Sequence, residues 1–174
     1  MDYWDRLGWK DTFSSKRWTE RQRAYTRALK MKHVGTPWFY VHNRPVRRHK
    51  IARLVARESQ HASRVTIKLN VAKADGKAKV RARLTNDWPV PKGTQVFAVL
   101  FTKRTATKCT AGENHGKTLQ EFFVVLDAGK ATAYAGEYTH EFNLPKNAKD
   151  LGVALLVENP ATMKTLGCAQ APVR

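Results

Sequence analysis

The sequence VTIKLNVAKADGKAKVRARL, residues 65–84, decides the fold class of this chain. Apolar side chains recur at every second position from Val65 to Val71 and again from Ala78 to Leu84. This spacing places them on one face of each strand, because successive side chains of a strand point to opposite faces. The Asp-Gly pair between the two runs is a preferred two-residue hairpin turn. The stretch therefore predicts a β-hairpin with one apolar face and one cationic face.

Strand-like runs continue from this hairpin to the end of the chain. They are separated by glycine and proline residues, which favour turns. The runs cover residues 95–102, 119–127, 131–144 and 151–158, with a short last one near 165–168. Six or seven short strands with turns between them are typical of a small antiparallel β-sandwich. We therefore expect a β-sandwich domain over residues 65–174.

The first 64 residues have a different pattern. Residues 14–32 carry apolar side chains at helical spacing, and Gly35-Thr36-Pro37 then ends the predicted helix. Trp38–Val41 is a short β-prone run, and residues 49–61 are predicted to form a second helix. The helical period gives way to a strand period near residue 64, which predicts a domain boundary there. Helices followed by an antiparallel sandwich make the expected fold class α+β.

Positive charge dominates the chain. It has 32 lysine and arginine residues against 14 aspartate and glutamate residues, a net charge of +18. Residues 1–64 hold 16 of the basic residues and only 5 of the acidic ones. Such a field favours binding to polyanions, either nucleic acid or an anionic lipid surface. The alternative is a solvated basic surface that keeps the protein soluble, and the sequence leaves both interpretations open.

The strongest candidate for an anion-binding site is a basic cluster around the second predicted helix. Lys50, Arg53 and Arg57 are three and four residues apart and therefore share one side of that helix. The candidate residues are Arg47, Arg48, Lys50, Arg53 and Arg57, with Arg44 just before them. Lys117, in the loop 112–118, is a second anion-binding candidate, although such a loop can simply shape a hairpin. From the cluster we expect weak, salt-dependent nucleic-acid binding without sequence preference.

Four of the five tryptophans lie in the first 38 residues. Large aromatic side chains carry much apolar area and are usually buried. Exposed among arginines, they could instead stack on the bases of single-stranded nucleic acid. We expect Trp4, Trp9, Trp18 and Trp38 to be core residues.

No residue pattern indicates an enzyme, a cofactor or a metal site. The two cysteines, Cys109 and Cys168, have no metal-ligand spacing, and whether they pair stays open. The six histidines are scattered, and the sequence has neither a nucleophile elbow nor a glycine-rich phosphate loop. No apolar run is long enough to span a membrane, and the first residues lack the pattern of a signal peptide. We expect no cofactor and no metal.

Several blocks of the sequence resemble one known family. They are DYWDRLGWKD at 2–11, FSS at 13–15, RQRAY at 21–25 and GENHGKTL at 112–119. These blocks closely resemble a secreted bacterial family called domain of unknown function 1223. The resemblance implies a thioredoxin-like domain followed by a β-sandwich. It also implies a protein that is usually exported, to the periplasm or beyond the cell, and that has no established reaction.

The resemblance further implies that part of the thioredoxin-like layer is missing. In the family, a first strand, a cysteine-bearing loop and its helix precede the block that here begins at Asp2. We therefore expect residues 1–64 to form an incomplete thioredoxin-like domain. Thr36-Pro37 matches the pair that, in thioredoxin-like folds, carries a cis-proline beside the redox cysteines. Since the family's cysteine loop has no matching position, we expect no redox catalysis.

Two functions of different classes follow. The first is an N-terminally shortened, non-catalytic member of the family that acts as a binding module. The second is a basic nucleic-acid or ribosome-associated protein built on the same scaffold. An incomplete layer would also leave the strand at Trp38–Val41 with an unpaired edge, and such edges invite pairing with a second copy. We therefore expect self-association through that edge.

Overall fold

The computed structural model describes residues 1–42, 44–147 and 149–174. The helices are α1 (Lys16–Ala28) and α2 (Ile51–Glu58), with 3₁₀ turns at Asp2–Leu7 and Arg48–Lys50. The first five strands are β1 (Phe39–Val41), β2 (Arg44–Val46), β3 (Val65–Ala74), β4 (Lys77–Asn86) and β5 (Gln95–Lys108). They are followed by β6 (Thr118–Ala128), β7 (Thr132–Ala133), β8 (Glu137–Asn143), β9 (Leu151–Asn159) and β10 (Lys164–Pro172).

The strands from β3 onward form two antiparallel sheets. One has the order β10-β9-β5-β6, with β7 paired to the start of β5, and the other has the order β3-β4-β8. Apolar side chains from both sheets meet in one buried cluster. It includes Val80 and Phe142 from the three-stranded sheet and Leu100, Val153 and Leu155 from the five-stranded sheet. The fold is therefore α+β, with two helices and a strand-rich part built from two packed sheets.

The hairpin predicted around Asp75-Gly76 is confirmed. β3 and β4 pair in antiparallel register along their whole length. Asp75 and Gly76 have φ angles of 52° and 72°, as a two-residue turn of this kind requires. The alternate apolar side chains of β4, from Ala78 to Leu84, are buried. The period-two pattern thus predicted both the turn and the buried face.

One predicted strand, residues 131–144, is in fact two. β7 pairs with β5 in the five-stranded sheet, whereas β8 pairs with β4 in the three-stranded sheet. The chain changes sheets at Gly136, whose carbonyl accepts a hydrogen bond from Leu84 N at 2.8 Å. The prediction was wrong because both halves have strand-like composition and only the tertiary pairing separates them. β5 and β10 are longer than predicted, since each continues its pairing along a neighbouring strand.

Helix α1 is attached to the outer face of the five-stranded sheet by a buried ion pair. Arg21 donates two hydrogen bonds to the Glu158 carboxylate of β9, at 2.7 and 3.2 Å. Glu158 is only 3% exposed, and the Tyr25 hydroxyl also donates to it at 3.3 Å. The Arg21 guanidinium lies over the Phe97 ring, 4.9 Å from its centroid. Bidentate, charge-assisted hydrogen bonds are stronger than neutral ones, so this contact fixes where α1 lies.

The N-terminal tryptophans are not core residues, which corrects the expectation from the sequence. Trp4 is 47% exposed and Trp38 is 38% exposed, and Trp9 and Trp18 are half-buried. Among the described residues before β3, only two are buried, and both are polar. The described residues before β3 therefore form no buried apolar core around these side chains. The Trp4 indole instead donates a hydrogen bond to the Thr36 hydroxyl at 2.7 Å.

The strand predicted at Trp38–Val41 has a partner. It corresponds to β1, which begins at Phe39 and pairs in antiparallel register with β2. In the described part of the chain these two strands form a sheet of their own, so one edge of β1 is paired. Self-association through its other edge stays a prediction, as does the thioredoxin-like assignment of residues 1–64.

We predict that Phe142→Ala destabilises the protein by about 3–5 kcal/mol, because the side chain is buried between the sheets and its removal leaves a cavity. The matched control is Phe122→Ala on β6, whose side chain is 61% exposed and should contribute little. Urea unfolding of both variants measures the difference. Equal losses of stability would contradict the described packing of the two sheets.

A second prediction concerns Tyr25. Burial, together with the nearby Glu158 carboxylate, raises the pKa of Tyr25 to about 12. A tyrosine in the unfolded chain has a pKa of about 10. The protonated hydroxyl therefore contributes stability that is fully present below pH ~10 and is lost as the pH rises towards ~12.

Phenolate absorbance should show this directly. The difference between the titrations of the wild type and Tyr25→Phe should isolate one group with a midpoint near pH 12 in the folded protein. In urea the same difference should move to about pH 10. A midpoint near 10 without denaturant would mean that α1 does not bury this hydroxyl against the sheet.

Candidate anion-binding surface

A groove beside α2 collects the basic side chains of the N-terminal part. The β1–β2 hairpin places Arg44 on one wall, and the 3₁₀ turn brings Lys50 to the start of the helix. Arg53 and Arg57 are one helical turn apart and face the same groove. We call this the basic groove. It has a volume of about 740 Å³ and is lined by Arg44, Pro45, Val46, Arg47, Lys50, Arg53, Leu54 and Arg57.

The positive charge of the basic groove is largely uncompensated. Among the described residues no carboxylate lines it, and its five cationic side chains are all exposed. Of these five cations, only Arg57 forms an ion pair within the described residues, with Glu58 at 2.6 Å. The hydrogen bond from Arg57 lowers the pKa of Glu58, and His42 and Arg44 contribute in the same direction. Four of the five cations therefore remain available to a ligand.

The structure brings together four of the six predicted anion-binding residues, and adds Arg44 to them. These four are Arg47, Lys50, Arg53 and Arg57. Arg48 is exposed in the 3₁₀ turn but does not line the groove. Lys117 lies in a different part of the molecule, where its Nζ is 3.3 Å from Asn114 Oδ1. The loop that carries Lys117 lies close to the segment that follows the N-terminal 3₁₀ turn. A Cβ atom added to Gly112 of this loop would be 3.4 Å from Trp9 Cβ.

A second cavity shares Arg44 and Pro45 of β2 with the basic groove, and sequence reasoning missed it. We call it the rear pocket. It has a volume of about 860 Å³, and its charged and imidazole groups come from His42, Arg44, Glu58, His61, Arg64 and Lys164. Arg64 and Lys164 are a hundred residues apart in the sequence. No local pattern could have indicated that they line one cavity.

A third cavity, of about 720 Å³, lies between α1 and the outer face of the five-stranded sheet. Its walls are mostly apolar, with Trp18 and Phe97 among them. The arginines in its described lining already have partners, since Arg21 binds Glu158 and Arg17 donates to Gly129 O at 2.9 Å. They are therefore less available to a ligand than the cations of the basic groove.

The candidate cis-proline pair can be located. The Thr36–Pro37 peptide bond is cis. Both cysteines lie outside the N-terminal part, with Cys109 buried after β5 and Cys168 exposed on β10, and both are free thiols. The role of the pair beside a redox centre stays a prediction.

Residues 1–42, 44–147 and 149–174 contain neither a candidate metal site nor a candidate membrane-spanning helix. No three histidine, cysteine, aspartate or glutamate side chains there lie close enough together to hold a metal ion. No helix in these ranges has the length and apolar character needed to cross a membrane.

Comparison with known proteins assigns the family. A family model described as a protein of unknown function, DUF1223, matches residues 1–158. The chain belongs to the DUF1223 family. This confirms the resemblance carried by the blocks at 2–11, 13–15, 21–25 and 112–119. No curated protein matches this DUF1223 chain significantly.

Two solved structures from Porphyromonas gingivalis are similar to this DUF1223 protein. HBP35 matches with a TM-score of 0.61 at 15% sequence identity, over 91% of this chain and 60% of that chain. The present chain thus spans 60% of the length of that structure. A domain of the outer membrane lipoprotein Omp28 matches with a TM-score of 0.46 at 12% identity, over 66% of this chain and 91% of that chain. At such low identity, the likeness to HBP35 shows the fold alone.

Proposed function

We propose that this DUF1223 chain is a non-catalytic binding module, and that its basic groove holds single-stranded nucleic acid by the phosphate backbone. One observation carries the proposal: five cationic side chains line one groove that has no carboxylate in its walls. Arginine and lysine that neutralise phosphates release condensed counterions, which is the main source of sequence-independent affinity. The net charge of +18 adds long-range attraction to the same ligand.

The walls of the groove favour phosphate contacts over contacts with bases. Its uncharged lining consists of Pro45, Val46 and Leu54, and none of these presents an aromatic face. Base stacking on aromatic rings is therefore not available inside the groove. Arginine forks can still hold phosphate oxygens in pairs. Binding should accordingly depend little on base sequence and strongly on salt.

The non-catalytic part of the proposal has separate support. The two thiols lie far apart along the sheet, because Cys168 is level with Phe97 near the start of β5 through Leu156, whereas Cys109 follows the end of β5. Disulfide exchange of the thioredoxin type needs two thiols close together. An insulin-reduction assay with dithiothreitol tests this, and turnover that disappears in Cys168→Ser would overturn it.

We predict that changing Arg47, Lys50, Arg53 and Arg57 to Gln together weakens binding to a fluorescent single strand by at least about tenfold at about 50 mM salt. The slope of log K against log salt should also become shallower, by about 0.7 for each phosphate that the variant no longer neutralises. Fluorescence anisotropy at several salt concentrations measures both quantities.

The matched control removes the same charge from the sandwich. Lys68, Arg81, Lys103 and Lys130 are exposed, form no ion pair among the described residues, and do not line the basic groove. Changing these four to Gln gives the same net charge. If the control loses as much affinity and slope as the groove variant, overall charge and not the groove explains the binding.

A gain of affinity is predicted at Glu58. Its carboxylate holds Arg57 at 2.6 Å, so Glu58→Gln should free that guanidinium and remove a local negative charge. Because an ion pair near the surface contributes little energy, the expected gain is about twofold to threefold. Glu113→Gln, on the distant loop, is the control for the same charge change and should leave affinity unaltered. A loss of affinity in Glu58→Gln would indicate that the ion pair positions Arg57 for binding.

A further inference from the structure

The rear pocket is a candidate site for a compact ligand. It lies between the C-terminal end of α2, the β1–β2 hairpin and the start of β10. A volume of about 860 Å³ is within the range of small-molecule sites in proteins. Leu29, Pro45 and Leu166 are apolar residues of its lining, and four charged side chains line it as well. This combination is typical of a pocket that binds an organic ion.

The charge in the rear pocket is mostly of one sign. Arg44, Arg64 and Lys164 line it and form no ion pair within the described residues. Glu58 is the one carboxylate in its lining, and that carboxylate already accepts a hydrogen bond from Arg57 at 2.6 Å. A neutral ligand would leave these cations without a partner. The lining therefore selects an anion with more than one charge.

The cations come from three separate parts of the chain. Arg44 belongs to the β1–β2 hairpin, whereas Arg64 precedes β3 and Lys164 begins β10. β3 and β10 are held together here, since Arg64 N donates to Leu166 O at 3.1 Å. Gly167 permits this close approach, because a Cβ at that position would lie 2.7 Å from Val65 O. Arg64 and Lys164 therefore lie at the edge of the sandwich where β3 and β10 meet.

We propose that the rear pocket binds a small organic molecule that carries two or more phosphate groups. Phosphate oxygens match the paired donors of an arginine guanidinium, and two arginines and one lysine can share several of them. The apolar walls accommodate the organic part. This site differs from the basic groove in its ligand, which is compact, and in Arg64 and Lys164, which do not line the groove.

A thiol in the same pocket provides the measurement. Cys168 lines the rear pocket and is exposed, whereas Cys109 is 1% exposed. The probe is adenosine triphosphate, and the readout is the rate at which uncharged N-ethylmaleimide labels Cys168, followed by mass spectrometry of the intact protein. Saturating triphosphate should slow this labelling at least fivefold. Unlabelled Cys109 shows in each sample that the sandwich is folded.

Control ligands separate phosphate recognition from general effects. Inorganic pyrophosphate should also protect Cys168, whereas adenosine without phosphate should not. Potassium chloride at the same ionic strength should leave the labelling rate unchanged. The proposal is overturned if triphosphate gives no saturable protection, or if chloride protects equally well.

Variants separate this site from the basic groove. The double change Arg64→Gln and Lys164→Gln should abolish protection of Cys168, while Arg47→Gln with Arg53→Gln should retain it. Protection that survives in the first variant, or is lost in the second, overturns the rear pocket as the site. The groove proposal has an independent readout, because strand binding should be weakened in the second variant and kept in the first.

Calorimetry covers the case in which the first variant does not fold and Cys109 becomes reactive. Titration of the wild-type protein with adenosine triphosphate should then give one saturable site. The absence of heat, together with unprotected Cys168, would overturn the proposal without any variant.

Discussion

Glu158 is a carboxylate on the outer face of β9, and the position of the N-terminal part depends on how its charge is satisfied. Removing a carboxylate from water costs several kcal/mol unless strong partners replace the lost hydration. Arg21 supplies a bidentate partner and Tyr25 a further donor, at 2.7 and 3.3 Å from the same oxygen. Without Arg21, the charge would be left buried and unpaired. Loss of α1 would therefore cost the sandwich stability, because it would leave Glu158 without its charged partner.

This way of attaching the N-terminal part explains its surface. Before β3, the only buried side chains among the described residues are Thr19 and Gln22, so apolar packing contributes little there. The acidic residues that could neutralise basic side chains lie mainly in the sandwich, where Glu141 pairs with Lys77 and Glu137 with Arg83. The arginines around α2 have few such partners. Uncompensated cations consequently concentrate at the basic groove and the rear pocket, which share Arg44.

The sequence predicted those features that local spacing determines. The alternation around Asp75-Gly76 predicted the hairpin, because a strand's period of two reports directly which face is buried. Helical spacing likewise predicted that Lys50, Arg53 and Arg57 share one side. The quoted blocks resembled a family that the match over residues 1–158 then confirmed. In each case, residues close in sequence carried the signal.

Features that depend on distant residues could not be predicted in this way. The division of residues 131–144 between two sheets depends on which strands they meet. The exposure of Trp4 and Trp38 depends on the absence of a facing apolar layer among the described residues, whereas their composition suggested a core. The rear pocket needs Arg64 and Lys164 on neighbouring strands. Whether a side chain is buried, or lines a cavity, depends on the segment that faces it. A single stretch of sequence does not specify that facing segment.

Two residues of β2 have a further physical consequence, because Arg44 and Pro45 line both the basic groove and the rear pocket. A guanidinium has a fixed fork of donors, so an Arg44 that holds the phosphate oxygens of one ligand cannot hold those of a second ligand equally well. The ligands proposed for the two cavities are both anionic, and like charges repel. If both proposals hold, each ligand therefore weakens the binding of the other.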